Sequence, residues 1–509
     1  MGHDIAAIYS SERARARSLL ELLAEARIDL QQGIAPELKQ RERDTHSRIT
    51  ANQRRLIDAY SQPQPDQNRI AELESELKKL DTEREQLNME IRQKHPRYAA
   101  VEYPAPPDLK QIQSLLDDDT LLLEYSLGKD SSFLFAVTRN DFIAVPLPSS
   151  ATIVGQVQAL RETLSKRPQR SLFASQIEIS RSLYRQLIEP AGRLLTGKRK
   201  LTIVPSGILH YLSFEALLSS GDAKSLATTG LDRWPYLLRS FAVSYAPSAG
   251  VLASLQSRTK VTSDRQKNFL AFADPAYVNR NPAEVRPGGA LDRGALGNQQ
   301  SWNIGPLPES RREVEQIARI YPTDKVSLLL GEQASEENVK TPGRFSDYRF
   351  IHFATHGLLN EERPPYSGLI LSLKPTVSNL SVSSGSTRNS STPTEDGLLQ
   401  VYEIFDLKLN AELVVLSACE TGLGKQVKGE GLVGLTHAFF YAGTSSVLVS
   451  LWKVQDRSTA DLMVNFYQEL DAGKNKAESL RQAKLRMIQQ NRYAHPYYWA
   501  PFVLMGNPQ

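Results

Sequence analysis

Cysteine is almost missing from this chain: Cys419 is the single one in 509 residues, so no internal disulfide can staple the fold. A chain of that kind suits a reducing compartment, and the expectation is a cytoplasmic protein. Long apolar runs are missing as well. None approaches the ~18 residues of a membrane span, and Met1 to Ile8 contains no basic segment leading into an apolar core. Ala6 stands where a myristoylation signal has Ser or Thr. No membrane association is expected. An excess of one charge is absent too, since 61 basic against 57 acidic residues leave a net +4, and bulk charge therefore gives no support to nucleic-acid binding. Nor is there a phosphate-binding loop: Gly422-Leu-Gly424-Lys425 lacks both the spacing and the Ser or Thr that follows the lysine of such loops.

What remains is enough chain for about two to four domains of ~100–200 residues each. From Ser10 to Gln93 it is rich in Glu, Lys, Arg, Gln and Leu, and apolar positions recur at helical spacing, as at Ile70, Leu73, Leu77, Leu80, Leu87 and Ile91. The seven-residue steps Leu73, Leu80, Leu87 predict an antiparallel coiled hairpin, turned at the Gln-Pro-Gln-Pro of Gln62 to Pro65. Such a charged surface is either a solvated helical face or a docking surface for a regulatory protein. Ser11 to Leu23 has the small-and-leucine pattern of a helix that stacks in a repeat, although no full repeat period is visible.

Tyr103-Pro-Ala-Pro-Pro107 reads as a linker, and beyond it the pattern changes. Short apolar runs at 121–125, 133–137, 142–146, 201–204, 243–246, 269–272, 326–330, 350–354, 369–373, 413–417 and 446–451 read as strands. Helical periodicity falls between several of them, at 151–164, 176–194, 310–321, 431–441, 458–471 and 476–490. This alternation predicts a mostly parallel sheet with helices on both faces, whose ligands gather at the carboxyl ends of the strands. Two stretches, 279–301 and 376–396, are rich in small and polar residues and read as loops; the second is either a cover for a site or a plain surface insertion.

Two runs end in residues with chemistry. Leu413-Val-Val-Leu-Ser-Ala-Cys419-Glu-Thr-Gly422 reads as a buried strand emptying into a glycine-rich turn, and Tyr348-Arg-Phe-Ile-His-Phe-Ala-Thr-His356-Gly357 as a strand that stops at a histidine. A thiol and an imidazole at the tips of neighbouring parallel strands make a nucleophile and its base. The N–H groups of Gly357 and Cys419 are candidate donors to a tetrahedral oxyanion, and Gly422, Gly424, Gly429 and Gly431 give the following loop room to close over a substrate. Spacing leaves a blander reading open, in which Cys419 is a small core residue. A metal site on His352 and His356 is not expected, because Phe353 replaces the glutamate of a zinc-protease helix and the run is strand-like. His210 and His437 read as packed histidines.

Four ordered runs, His352-Phe-Ala-Thr-His356-Gly357, Leu416-Ser-Ala-Cys419-Glu-Thr-Gly422, Gly429-Glu-Gly-Leu-Val-Gly434 and Ser450-Leu-Trp-Lys-Val-Gln-Asp456, resemble the CHAT domain, a caspase-like family related to separase and the gingipains. Leu201-Thr-Ile-Val-Pro-Ser-Gly-Ile-Leu-His210 resembles that family's amino-terminal portion. CHAT domains commonly follow tetratricopeptide repeats, which residues 11–23 resemble. The resemblance implies an α/β fold, a caspase-like three-layer sandwich with a mostly parallel central sheet, preceded by an α-helical hairpin or coiled-coil region. It implies three parts: a helical region at 1–100, a small strand-and-helix module at 101–170, and a CHAT domain at 171–509 whose catalytic half is 305–509. It further implies a cysteine endopeptidase with a Cys419–His356 dyad and no metal or organic cofactor, acting on a protein substrate in signalling or defence. In separase-like relatives an acidic residue lines the pocket for a basic P1 side chain; Asp456 holds a comparable position, unless it caps the helix that follows. Glu430 is a second acidic candidate for that role or for ordering its loop, and Trp452 either walls the pocket or packs in the core. The rival expectation is a catalytically silent scaffold of the same fold.

Overall fold

A computed structural model describes residues 4–12, 15, 41, 44–45, 48–49, 51–52, 55, 66–94, 107–259, 267–277, 306–360, 367–372, 395, 397–417, 419–423, 430–453 and 456–509. The expected turn at 62–65, nearly all of the 103–107 linker, both loop-like stretches apart from Glu395, Gly424, Gly429 and most of the helix at 11–23 lie outside the described residues.

Eleven strands form the central sheet. β1 (Thr120–Leu127), β2 (Ser132–Val137) and β3 (Phe142–Leu147) make an antiparallel meander at one end. β4 (Lys200–Val204) and β5 (Ala242–Tyr245) continue it in parallel from β1. The other half is built from β6 (Lys267–Pro275), β7 (Val326–Gly331), β8 (Tyr348–Ala354), β12 (Leu413–Leu416), β14 (Ser446–Ser450) and β15 (Phe502–Gly506). The spatial order is β3-β2-β1-β4-β5-β15-β14-β12-β8-β6-β7. Beyond the meander, β14–β15 is the single antiparallel pair of this sheet among the described residues. Strands such as Leu413-Val-Val-Leu416 are apolar at every position and buried on both faces, which is what a central parallel strand covered by helices requires.

Those covers are α2 (Ser150–Leu164) against α3 (Phe173–Leu187), together with α4 (Ala249–Thr259), α5 (Pro308–Ala318), α6 (Glu430–Ala442), α7 (Asp456–Asp471) and α8 (Lys476–Gln489). α2 buries Ile153, Val157, Leu160 and Leu164, one face at helical spacing. One continuous apolar core joins both halves of the sheet. A buried ion pair crosses it, with Lys484 of α8 2.7 Å from Glu215; Glu215 also accepts from the Tyr245 hydroxyl at 2.5 Å.

The amino-terminal hairpin is observed in its contacts, with label α1 for Gln67–Lys94. Arg48 meets Glu83 at 2.9 Å, Ile49 clusters with Leu77 and Leu80, and the Asn52 side chain donates to the Leu73 carbonyl at 3.4 Å, so the two segments run antiparallel. Ile70, Leu73, Leu77 and Leu80 are buried as their spacing predicted; the side chains of Leu87 and Ile91 lie outside the described residues. The first helix, residues 4–12, docks on the sheet itself. Ile8 enters an apolar cluster with Leu122, Val204 and Leu252, and the Glu12 carboxylate accepts the N–H groups of Ala249 and Gly250 at 2.9 Å each, capping α4. Arg15 donates to the carbonyls of Pro205 and Tyr125.

Candidate functional site

The site is made by two adjacent strands that each lead into a second strand. β8 and β12 are parallel neighbours aligned Phe353 to Leu416. Three residues beyond each of these, at His356 and Cys419, the chain enters β9 (His356–Asn360) and β13 (Cys419–Leu423). With β10 (Gly368–Ile370) and β11 (Leu398–Gln400) these form a separate sheet of order β11-β10-β9-β13. β9 and β13 are parallel, and Cys419 is aligned with His356. Aligned residues of neighbouring strands share a face and lie about 4.8 Å apart across the ladder. Cys419 therefore begins a strand rather than the glycine-rich turn expected from sequence, and Gly422 lies within that strand opposite Leu359. The cause is tertiary: pairing with β9 overrides the weak strand preference of Cys-Glu-Thr-Gly-Leu.

His356 is 2% exposed. Its backbone N–H donates to the Tyr277 hydroxyl at 3.2 Å, and the two rings lie 5.1 Å apart at 51°. Tyr277 also donates to the Ile370 carbonyl at 3.4 Å and packs with Leu307, Leu358 and Ile370 beneath the small sheet. Gly357 is held inside the ladder, aligned with Leu369 on one side and Glu420 on the other. Close approach is needed at Gly368, where a Cβ would lie 2.3 Å from the Leu399 carbonyl oxygen.

The remaining candidates separate. His352 sits in the main core on β8, with Nε2 2.8 Å from the Glu313 carboxylate and Nδ1 3.2 Å from the Tyr467 hydroxyl, so its contacts are with α5 and α7. Trp452 is buried in the main core, and its indole N–H donates to the Tyr497 carbonyl at 3.2 Å. Asp456 and Glu430 are the first residues of α7 and α6; their side chains lie outside the described residues. His210, in a turn at Gly207–Tyr211, is pushed down to about 3 by burial, then by Arg15 and His437. Burial likewise holds His437 down at about 3.

Sequence reasoning missed two features around the site. Tyr277 carries no periodic signal, although Asp274-Pro275 after an apolar run marks a corner. Glu336, Glu395 and Glu403 converge as a metal-like cage, but the Lys340 ammonium fills it at 2.7, 2.6 and 2.7 Å. Burial works against that ammonium, and Glu403 and Glu336 more than offset it, holding the lysine well above its usual range. The outer oxygens of the cage accept the N–H groups of Gly397 and Gln400 at 2.8 Å each. The cluster thus fixes the chain that leads into β11. Among the described residues no helix is long and apolar enough to cross a membrane.

The chain is 26% identical over 406 residues to Tetratricopeptide repeat protein 28 of Homo sapiens, and 26% over 407 residues to its Mus musculus counterpart. Each alignment takes 75% of this chain but 15% of the relative, so the chain spans a small part of those proteins. Among solved structures it is similar to the Saccharomyces cerevisiae separase–securin complex (11% identity, TM-score 0.43, 81% of this chain and 31% of that one). It is also similar to the Arg-specific cysteine proteinase gingipain R (10% identity, TM-score 0.35, 70% and 74%). Residues 178–507, which is 507 − 178 + 1 = 330 of 509, match the CHAT domain, and the chain belongs to that family.

Proposed function

We propose that this chain is a cysteine endopeptidase in which His356 serves Cys419 as base and acid. The observation that carries the reading is the β9–β13 register, which aligns these two residues across adjacent parallel strands. In this reading His356 takes the thiol proton, and the sulfur attacks the scissile carbonyl. The oxyanion is met by the N–H groups of Cys419 and Gly357, the latter once the opening of the latent site releases it from the β9 ladder. The carbon–nitrogen bond then breaks as His356 returns the proton to the leaving amine, which leaves a thioester on Cys419. Water, deprotonated by His356, releases the new carboxyl end and restores the thiol.

Cleavage after a basic residue is proposed on Asp456, whose carboxylate would pair with an Arg or Lys side chain. Its place at the first turn of α7 also suits a helix amino-terminus, so Asp456→Ala separates the two roles by its effect on P1 preference. The 2% exposure of His356 supports a latent enzyme that opens when a regulatory protein engages the amino-terminal helices.

The test compares new protein amino-termini in lysate of the source cells given wild type or Cys419→Ala. Cuts present with wild type alone support the peptidase and read P1 directly. No such cuts, together with a Cys419 whose alkylation rate ignores His356→Ala, favour the silent scaffold instead.

A further inference from the structure

We propose that Tyr277 is a positioning residue for His356, delivered by a strained corner at Asp274. The proposal rests on the dyad reading above and deepens it. Asp274 is the single non-glycine residue with positive φ, at +50°, among the described residues. A side chain in that region costs of order 1–3 kcal/mol and persists where its surroundings hold it. Here they do: the Asp274 carboxylate meets the Arg311 guanidinium at 2.8 Å, and its N–H donates to the Ser310 hydroxyl at 2.9 Å. The register of β6 against β7 breaks at the same point, between Ala273 and Pro275. Immediately after it the Ala276 N–H donates to Ser372 Oγ at 3.1 Å, and Ser372 donates onward to the Gly331 carbonyl at 2.7 Å.

The corner has one product. It turns the chain away from β6 so that Tyr277, three residues on, reaches the start of β9. There the hydroxyl bridges an aligned pair of the small sheet, taking the His356 N–H and giving to the Ile370 carbonyl. The ring lies against the imidazole. Two degrees of freedom of His356 are limited together: the backbone that sets where its side chain starts, and the face on which its ring can turn.

Because Cys419 is the single cysteine, the test needs no substrate. Iodoacetamide alkylation of the full chain is followed against pH for wild type, His356→Ala and Tyr277→Phe, with thermal unfolding alongside. An imidazole partner shows as a reactive thiolate well below the ordinary thiol range near ~8.5, and His356→Ala removes it. Tyr277→Phe keeps the ring and loses the hydroxyl. The expected result is about fivefold slower alkylation on the low-pH limb, the consequence of one hydrogen bond of ordinary strength, with the high-pH limit unchanged. A Tyr277→Phe profile that superimposes on wild type overturns the proposal while leaving the dyad standing. A wild-type profile that is ordinary and indifferent to His356→Ala removes the dyad and this proposal with it. Should Tyr277→Phe lose cooperative unfolding, Asp274→Ala, which keeps the strained φ but removes the Arg311 ion pair that holds it, is read in its place. The same slowing supports the proposal, and a wild-type profile refutes it.

Discussion

Glu124 sets up a stability profile opposite to that of most carboxylates. It is fully buried within β1, beside the equally buried Glu12 of the first helix. Burial first, and the Glu12 charge second, push its carboxyl from 4.5 up to about 8, while Arg15 at 3.4 Å and the Ser11 hydroxyl at 2.5 Å pull the other way. The unfolded chain releases this proton near 4.5 and the folded chain keeps it until about 8. Between those values the native state binds more protons than the unfolded state, so stability must fall as pH rises through the window. The difference of 8 − 4.5 = 3.5 pKa units corresponds to roughly 5 kcal/mol once Glu124 is ionised in both states. Glu124→Gln cancels the dependence, because the amide is neutral throughout and can still donate toward Glu12 and accept from Ser11. Urea unfolding of both proteins across the window gives the difference directly. The two should be nearly equal near the lower pKa, with the variant gaining several kcal/mol above the upper one. A difference that is flat, or that favours wild type as pH rises, would refute the buried acid pair and the docking of the first helix that creates it.

Lys484→Met leaves the Glu215 charge in the core with only hydroxyl partners, so unfolding free energy should drop by about 3–5 kcal/mol. The double variant with Glu215→Gln should recover most of that in the same denaturation assay. Two glycines should respond with opposite sign. At Gly443 φ is +116° and a Cβ would sit 2.2 Å from the Leu409 carbonyl oxygen, so Gly443→Ala should lower the melting temperature. Gly155 has open space around it inside α2, and Gly155→Ala should raise stability by about 0.5–1 kcal/mol.

The main sheet was legible because its signal is local. Runs such as Leu413 to Leu416 and Val447 to Val449 are apolar throughout, and burial on both faces needs nothing more. β13 was not legible, since Cys-Glu-Thr-Gly-Leu has no alternation and contains a glycine; the partner β9 makes it a strand. β15 was missed for a related reason: Phe502 to Gly506 follows the short Pro496–Trp499 helix so closely that no polar stretch separates the two apolar segments. Tyr277 was invisible because its role depends on a backbone corner rather than a pattern.

His356 and Cys419 stood out in the sequence even though the strands that carry them did not, and the geometry explains why they align. The alignment of Cys419 with His356 is inherited from the main sheet. Phe353 and Leu416 are aligned in β8 and β12, and equal steps of three residues (356 − 353 and 419 − 416) carry that register into the small sheet. A one-residue change in either step would put the two residues on opposite faces of the ladder. The meeting point is thus specified by two counts that the sequence contains, the strand ends and the residues after them, and by one fact it does not display, that β8 and β12 are neighbours. Buried apolar packing of those two strands supplies that fact, so the relative placement of His356 and Cys419 rests on the core of the sheet, with the Tyr277 hydroxyl holding the His356 N–H at its edge.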